Sequence, residues 1–392
     1  MWYKNLIKTK LGWLGLVSFL LGFQLSFTLY ILSNYFQKVT GFERVEWVFI
    51  LIYGLSLWAL WKFPNFIDYW GRVKGLFVFL GGRALALLAA SLFWDNYIGL
   101  LLIASAFIFQ ALLMAGFDLL VESYSKDAVT GKIRGRMLTL MNLGFLPAPF
   151  FAGFLVDRIN FGVVFFLASL VVFVMAIIIT FNFSKEHSTL SKKRTAKKVP
   201  TLSSIWRKIK KQPDVLRIYF LALLLQVFYA ATVVYVPLVL LESGMSWEVI
   251  GMLLTAMLIP FVIVQYPTGI ICDKKGEKEV LFFALLLMTI SVMALGVIEL
   301  SGFWLILLVL LIGRTGAALF EVARDSYFYK KVDTKDVDLI SFFRSDQSLA
   351  YIIVAFIFGI LSFFLEISTL FIVLAVFLSV GFIPLIKIKD TN

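Results

Sequence analysis

Two seven-residue stretches carry paired carboxylates within the apolar runs of this chain. D-L-L-V-E-S-Y runs from Asp118 to Tyr124, and E-V-A-R-D-S-Y from Glu321 to Tyr327. In each, two carboxylates stand four residues apart and are followed by Ser-Tyr. One offset of 203 relates them, taking 118 to 321 and 122 to 325. On a helix that spacing puts both acids of a stretch on one face, a turn apart. Acids in apolar surroundings either pair with a cation or take up a proton, because desolvation favours the neutral form. Asp118 and Glu321, one turn deeper than Glu122 and Asp325, are therefore candidates for proton coupling. The structural alternative is a layer of salt bridges, with Arg324 close to Glu321 on the same helix.

Four more large polar side chains stand near the middle of apolar runs: Gln24, Gln110, Gln226 and Arg314. They repeat at nearly the same offset, 202 from Gln24 to Gln226 and 204 from Gln110 to Arg314. Thr28 lies one turn from Gln24, and Tyr229 nearly one turn from Gln226. Polar groups at that depth face protein or water rather than lipid. They either line a binding site or hold helices together.

The elements that must position these residues are spanning helices. The chain has 392 residues, 61% hydrophobic and 15% charged, with mean hydropathy +0.94. Soluble domains average about 45–50% apolar and about 25% charged, so this composition belongs in a bilayer. Apolar runs of spanning length fall at 12–36, 47–66, 74–94, 97–123, 136–157, 161–184, 216–241, 247–271, 280–299, 303–327, 340–364 and 367–386. That is six, a polar stretch, then six.

Lys4, Lys8 and Lys10 precede an apolar segment too long for a signal-peptide core, which reads as a retained first helix. With the N-terminus inside, Arg72, Lys74, Lys126, Lys132, Arg134, Arg136, Lys274, Lys275, Lys278, Lys330, Lys331, Lys335, Lys387 and Lys389 fall in inner loops or the C-terminal tail. Only Lys38, Arg44 and Arg158 fall outside. Both termini are then cytoplasmic, in a plasma or inner membrane. The net charge of +12 is a topology signal, and no nucleic-acid partner is read from it. Between the two sets, residues 185–213 form a basic linker. Leu202, Ile205, Trp206 and Ile209 at helical spacing opposite Arg207, Lys208, Lys210 and Lys211 read as a short amphipathic helix on anionic lipid. The single cysteine, Cys272, excludes an internal disulfide, and the single histidine, His187, excludes a His-rich metal site. No cofactor motif is present.

The hairpin from Gly269 to Lys278, G-I-I-C-D-K-K-G-E-K, joins two spans. A fainter copy, P-N-F-I-D-Y-W-G-R-V-K, runs from Pro64 to Lys74. G-x-x-x-D-K-x-G-x-K between two spans resembles motif A of the major facilitator superfamily. The second copy keeps Gly269, Asp273, Lys274, Gly276 and Lys278, and the first keeps Asp68, Gly71, Arg72 and Lys74. Gly135, Gly144, Pro149 and Gly153 on the fifth span resemble a softened motif C, a signature of antiporter families that export drugs or metabolites.

The resemblance implies an all-α integral membrane fold, twelve transmembrane helices in two pseudo-symmetric six-helix bundles, 1–184 and 214–392. It implies that helices 1, 4, 7 and 10 line a central cavity, making Gln24, Thr28, Gln110, Gln226, Tyr229 and Arg314 substrate-cavity residues. Arg83, on a support helix, reads as structural or paired with groups the sequence does not identify. The motif A residues, with Glu122 and Asp325, become a gating charge network. Asp68, Arg72 and Glu122 match it directly, whereas Asp273 has Glu277 four positions on and must use Lys278 or Arg324.

The expectation is a secondary transporter, not an enzyme, working as a monomer by alternating access. Its partners are a small-molecule substrate, membrane lipids and, as candidate coupling ion, a proton. It carries no cofactor and no metal. Export or antiport of an amphipathic or anionic compound is the leading reading. Uptake of a sugar, nucleoside or other metabolite is the alternative, and an integral-membrane enzyme or sensor the remote one.

Overall fold

The computed structural model describes residues 10–29, 31–41, 46–125, 129–183, 207–210, 212–245, 247–297, 302–333 and 335–391. Twelve helices among them are long and apolar enough to cross a membrane: α1 (Lys10–Leu29), α2 (Val48–Trp70), α3 (Arg72–Leu92), α4 (Tyr97–Glu122), α5 (Thr130–Val156), α6 (Phe161–Phe183), α7 (Pro213–Val236), α8 (Met252–Lys275), α9 (Lys278–Val297), α10 (Phe303–Lys331), α11 (Val337–Leu361) and α12 (Ile367–Lys387). No strand occurs among the described residues. Their outer faces carry large apolar side chains such as Leu92, Leu101, Phe181 and Trp304, each more than two-thirds exposed. Such a surface suits acyl chains and not water.

Local chemistry sets several ends. Asn96 caps α4, its Oδ1 accepting from the amides of Ile98 and Gly99 at 3.0 and 3.2 Å. Within α5 and α8 the helix breaks and restarts at Ala148 and Ile259, each restart carrying a proline in its first turn, the one place a missing N–H is harmless. α11 passes through a π-turn at Val354–Phe358. Several expected ends move outward, those of α5, α10 and α11 among them. α5 begins at Thr130 rather than 136, so Lys132, Arg134 and Arg136 are helical; α10 runs to Lys331, and α11 begins at Val337. Of the expected linker helix, Arg207 to Lys210 is helical and Ile209 is buried. Leu202, Ile205 and Trp206 lie outside the described residues.

By internal contacts the chain forms two compact units. The first comprises residues 1–125, 140–207 and 334–348; the second comprises 126–139, 208–333 and 349–392. Within the first, α3 packs on α4 and α6, α1 on α6, and α2 on α4. Within the second, α9 packs on α10 and α12, α7 on α12, and α8 on α10. Shifting every helix by six maps one pattern onto the other, so the repeat seen in the sequence is a repeat of packing.

Candidate functional site: buried polar clusters in each unit

In the first unit, Arg83 of α3 reaches between α1 and α4. It is fully buried. Its Nε–H donates to Gln24 Oε1 at 2.8 Å and its Nη1 to the Ala106 carbonyl at 2.7 Å, with Phe107 5.4 Å away, guanidinium carbon to ring centroid. Gln24 Nε2 donates to Gln110 Oε1 at 3.0 Å and to the Leu21 carbonyl at 3.2 Å. Arginine only donates, so Gln24 must turn its oxygen to Arg83 and its nitrogen to Gln110. The cation therefore fixes both amides. At the two ends of this chain, Arg83 Nη2 and Gln110 Nε2 have no hydrogen-bond partner among the described residues. Thr28, also fully buried, spends its hydroxyl on the Gln24 and Leu25 carbonyls at 3.1 Å.

Farther along α4, Asp118 is bound by Arg344 of α11, and Glu122 is buried one turn on. Arg72 Nη1 donates to Ser123 Oγ at 3.2 Å. Asp68 and Lys74 are exposed. Gly71 stands between α2 and α3 at φ 77°, ψ 169°, a region essentially reserved for glycine.

In the second unit, Arg314 of α10 is 5% exposed. Its Nη2 donates to Thr232 Oγ1 at 3.0 Å. Its guanidinium carbon lies 5.6 and 5.7 Å from the ring centroids of Phe228 and Tyr229. The Tyr229 hydroxyl is buried with no partner among the described residues, and Gln226 is 7% exposed. Two turns along α10, Glu321 Oε2 accepts from Gln265 Nε2 of α8 at 2.7 Å. Arg324 Nε lies 3.0 Å from Asp325 Oδ1, both side chains almost fully buried.

The hairpin between α8 and α9 is the densest cluster. Asp273 accepts from the backbone amides of Gly131 and Lys132, through Oδ1 at 2.9 Å and Oδ2 at 2.7 Å, and so caps the start of α5. Its cation is Lys330, at 3.6 Å. That corrects the expectation of Lys278 or Arg324. Lys330 also lies 2.7 Å from Glu277 Oε1, whose residue is fully buried.

The C-terminal residues close over this hairpin. Asp390 Oδ1 accepts from the Lys278 amide at 2.9 Å, Thr391 Oγ1 donates to Glu277 Oε2 at 2.6 Å, and Lys278 Nζ donates to the Ile386 carbonyl at 3.0 Å. Gly276 holds φ 91°, ψ 170°, nearly the conformation of Gly71. Lys274 points to solvent-accessible surface. Gly269 is pressed against the Gly131 carbonyl, 2.2 Å from where a Cβ would stand.

The glycines of α5 divide. A Cβ on Gly144 would meet the Phe19 carbonyl oxygen at 2.0 Å, and one on Gly22 of α1 the Met141 carbonyl oxygen at 1.8 Å, so α1 and α5 touch backbone to backbone. A Cβ on Gly135 would lie 2.5 Å from the Gln265 carbonyl oxygen, whereas Gly153 faces open space. α5 restarts beside Pro149.

The family model of the Major Facilitator Superfamily matches residues 14–323 and 242–392. The chain belongs to the Major Facilitator Superfamily. None of the curated proteins matches it. Among solved structures, a superfamily transporter, FucP, in the outward conformation aligns with TM-score 0.74 and 14% identity over 98% of this chain and 100% of that one. The human organic anion transporter MFSD10 (TETRAN) aligns with TM-score 0.73 and 15% identity over 95% and 97%. A bacterial homologue of the iron transporter ferroportin, outward-facing with soaked iron, aligns with TM-score 0.76 and 14% identity over 97% and 99%. At such identities the likeness is one of fold. The protein is thus a multi-pass secondary carrier of this superfamily, with twelve spans.

Within that superfamily fold, the sequence reading missed two groups and left one without named partners. Arg83 reads from sequence as structural or paired with unidentified groups, and it organises Gln24 and, through it, Gln110. A cation in an apolar run must find acceptors, and that was the available signal. Gln265 carries the same signal, a lone amide in α8. Arg344 lies 226 residues from Asp118, and no pattern links them.

Proposed function

We propose that this carrier exports a small amphipathic or anionic organic solute by alternating access, from a plasma or inner membrane with both termini cytoplasmic. The observation that carries the reading is Arg314. It is a permanent cation near the middle of α10, walled by Phe228 and Tyr229 and anchored by Thr232 through one nitrogen. Beside it the Tyr229 hydroxyl is buried with no hydrogen-bond partner among the described residues. A guanidinium next to aromatic rings suits a ligand with an anionic end and an apolar body.

The gate follows from Asp273. A cap on the start of α5 that forms in one state of the cycle and not in the other stabilises that state. The close backbone approaches of Gly22 to Met141 and of Gly144 to Phe19 support the exporter resemblance carried by motif C.

The experiment is a thermal-shift screen of organic acids on purified protein, followed by flux in inside-out vesicles. Arg314→Gln is expected to weaken the best acid at least tenfold while leaving the melting temperature near wild type. Unchanged affinity in a well-folded variant overturns the anion reading. Accumulation only in right-side-out vesicles replaces export by uptake.

A further inference from the structure

We infer that Arg83 and Gln110 form a second anion subsite, in the first unit, which takes the carboxylate of the transported solute. The inference rests on the organic-anion reading and deepens it. Arg83 is fully buried and has no carboxylate partner among the described residues; its bonds go to an amide oxygen, a carbonyl and the face of Phe107. A buried guanidinium cannot shed its proton and is costly without a counter-charge.

The groups left unfilled are informative in their type. Arg83 Nη2 and Gln110 Nε2 are both donors, and no unfilled acceptor stands among the three side chains of the cluster. The amide orientations behind this are forced by the arginine, because reversing Gln24 would point its NH2 at a group that only donates. A water oxygen would fill a donor and leave the charge uncompensated. A negatively charged acceptor does both. Gln110 is 5% exposed and Gln24 and Arg83 are fully buried, so a ligand meets Gln110 first.

The 203-residue offset that takes Asp118 to Glu321 takes Gln110 to Gly313, the neighbour of Arg314 on α10. In the second unit the charge stands on that helix itself. In the first it is supplied from α3 and relayed through Gln24. Each of the two clusters thus combines a buried arginine with a donor unfilled among the described residues, Gln110 Nε2 or the Tyr229 hydroxyl.

The test uses the purified full-length protein in detergent and chloride-free buffer. Acetate, butyrate and benzoate are each compared with their own primary amides, and with sodium chloride at equal ionic strength. A carboxylate, but neither its amide nor chloride, is expected to raise the melting temperature. Gln110→Glu keeps an oxygen for Gln24 and adds a fixed carboxylate to the cluster that holds Arg83. It is expected to melt at or above wild type without ligand and to bind the carboxylate at least tenfold more weakly. Arg83→Lys, which keeps the charge, should retain a reduced response. In an Arg314→Gln background, which removes the other anion site, a carboxylate response that survives Gln110→Glu overturns the subsite, as does no response in wild type. A chloride response of equal size, lost in Gln110→Glu, overturns its assignment to the solute. Carboxylate flux in proteoliposomes that is unchanged by Gln110→Glu sinks the subsite alone. No carboxylate flux in wild type removes the organic-anion reading as well.

Discussion

Asp273 Oδ2 accepts the backbone amide of Lys132 at 2.7 Å while its Oδ1 accepts that of Gly131 at 2.9 Å, so one carboxylate caps a helix 141 residues away in the chain. A carboxylate there satisfies two orphan amides and meets the positive end of the helix dipole. Asparagine keeps one acceptor oxygen and loses the charge. Asp273→Asn is expected to cost about 0.5–2 kcal/mol of stability and to slow transport severalfold, because one state of the cycle loses its clasp. Initial flux rates and thermal unfolding of the same preparation check this. A wild-type rate would remove Asp273 from the gate.

Lys330 holds two acids at once, Glu277 at 2.7 Å and Asp273 at 3.6 Å, with all three side chains less than a tenth exposed. Taking the cation away leaves buried carboxylates uncompensated, a loss of about 3–5 kcal/mol. Because Ser326 and Thr391 also donate to Glu277, the lower end is expected for Lys330→Met. Adding Glu277→Gln should restore part of it. Thermal unfolding of the single and double variants measures the coupling, and additive losses would mean the pair is not coupled.

The glycines of the fifth helix give a paired prediction. Gly144→Ala drives a methyl to 2.0 Å from the Phe19 carbonyl oxygen, and Gly22→Ala one to 1.8 Å from that of Met141. Each should lose about 1–3 kcal/mol or more by forcing α1 and α5 apart. Gly153→Ala meets nothing within 4 Å and should stay within about 0.5 kcal/mol of wild type. Equal melting temperatures for all three would contradict the backbone contact.

How much of this was legible in the sequence differs by element. The twelve spans and their repeat were, because hydropathy and the 203-residue offset are local properties of the chain. The start of α5 was not. T-G-K-I-R-G-R reads as loop, and it is helical because Asp273, far away in sequence, caps it. The far end of α10 was missed for a like reason, since Lys330 is tied to α8 and the following hairpin and Tyr327 to the Lys389 carbonyl. The partner of Asp273 was sought among its neighbours, Lys278 and Arg324. Those two are engaged elsewhere, Lys278 by Ile386 and Asp390, Arg324 by Asp325. Gln24, Gln110 and Arg314 were found by depth and repetition alone. Arg83 breaks the repeat, since Leu286 stands 203 positions on, and so its partners could not be read from the sequence.

The two deep acids should separate by experiment. Asp118 is held by Arg344 of α11, so its charge serves as a tie between helices. Glu321 accepts from the Gln265 amide at 2.7 Å, a partner able to bond either protonation state. Glu321→Gln is expected to abolish pH-driven flux while sparing exchange at equal pH, and Asp118→Asn to reduce both. Undisturbed pH-driven flux in Glu321→Gln would exclude it as the carrier.

The central claim, alternating access to one binding site, is tested most directly by counterflow. Proteoliposomes holding the protein are loaded with an unlabelled acid from the screen and diluted into the labelled acid. If one site faces each side in turn, internal acid accelerates entry of label severalfold, entry saturates, and label transiently accumulates above equilibrium. Entry that is linear in concentration and indifferent to internal acid would contradict the account.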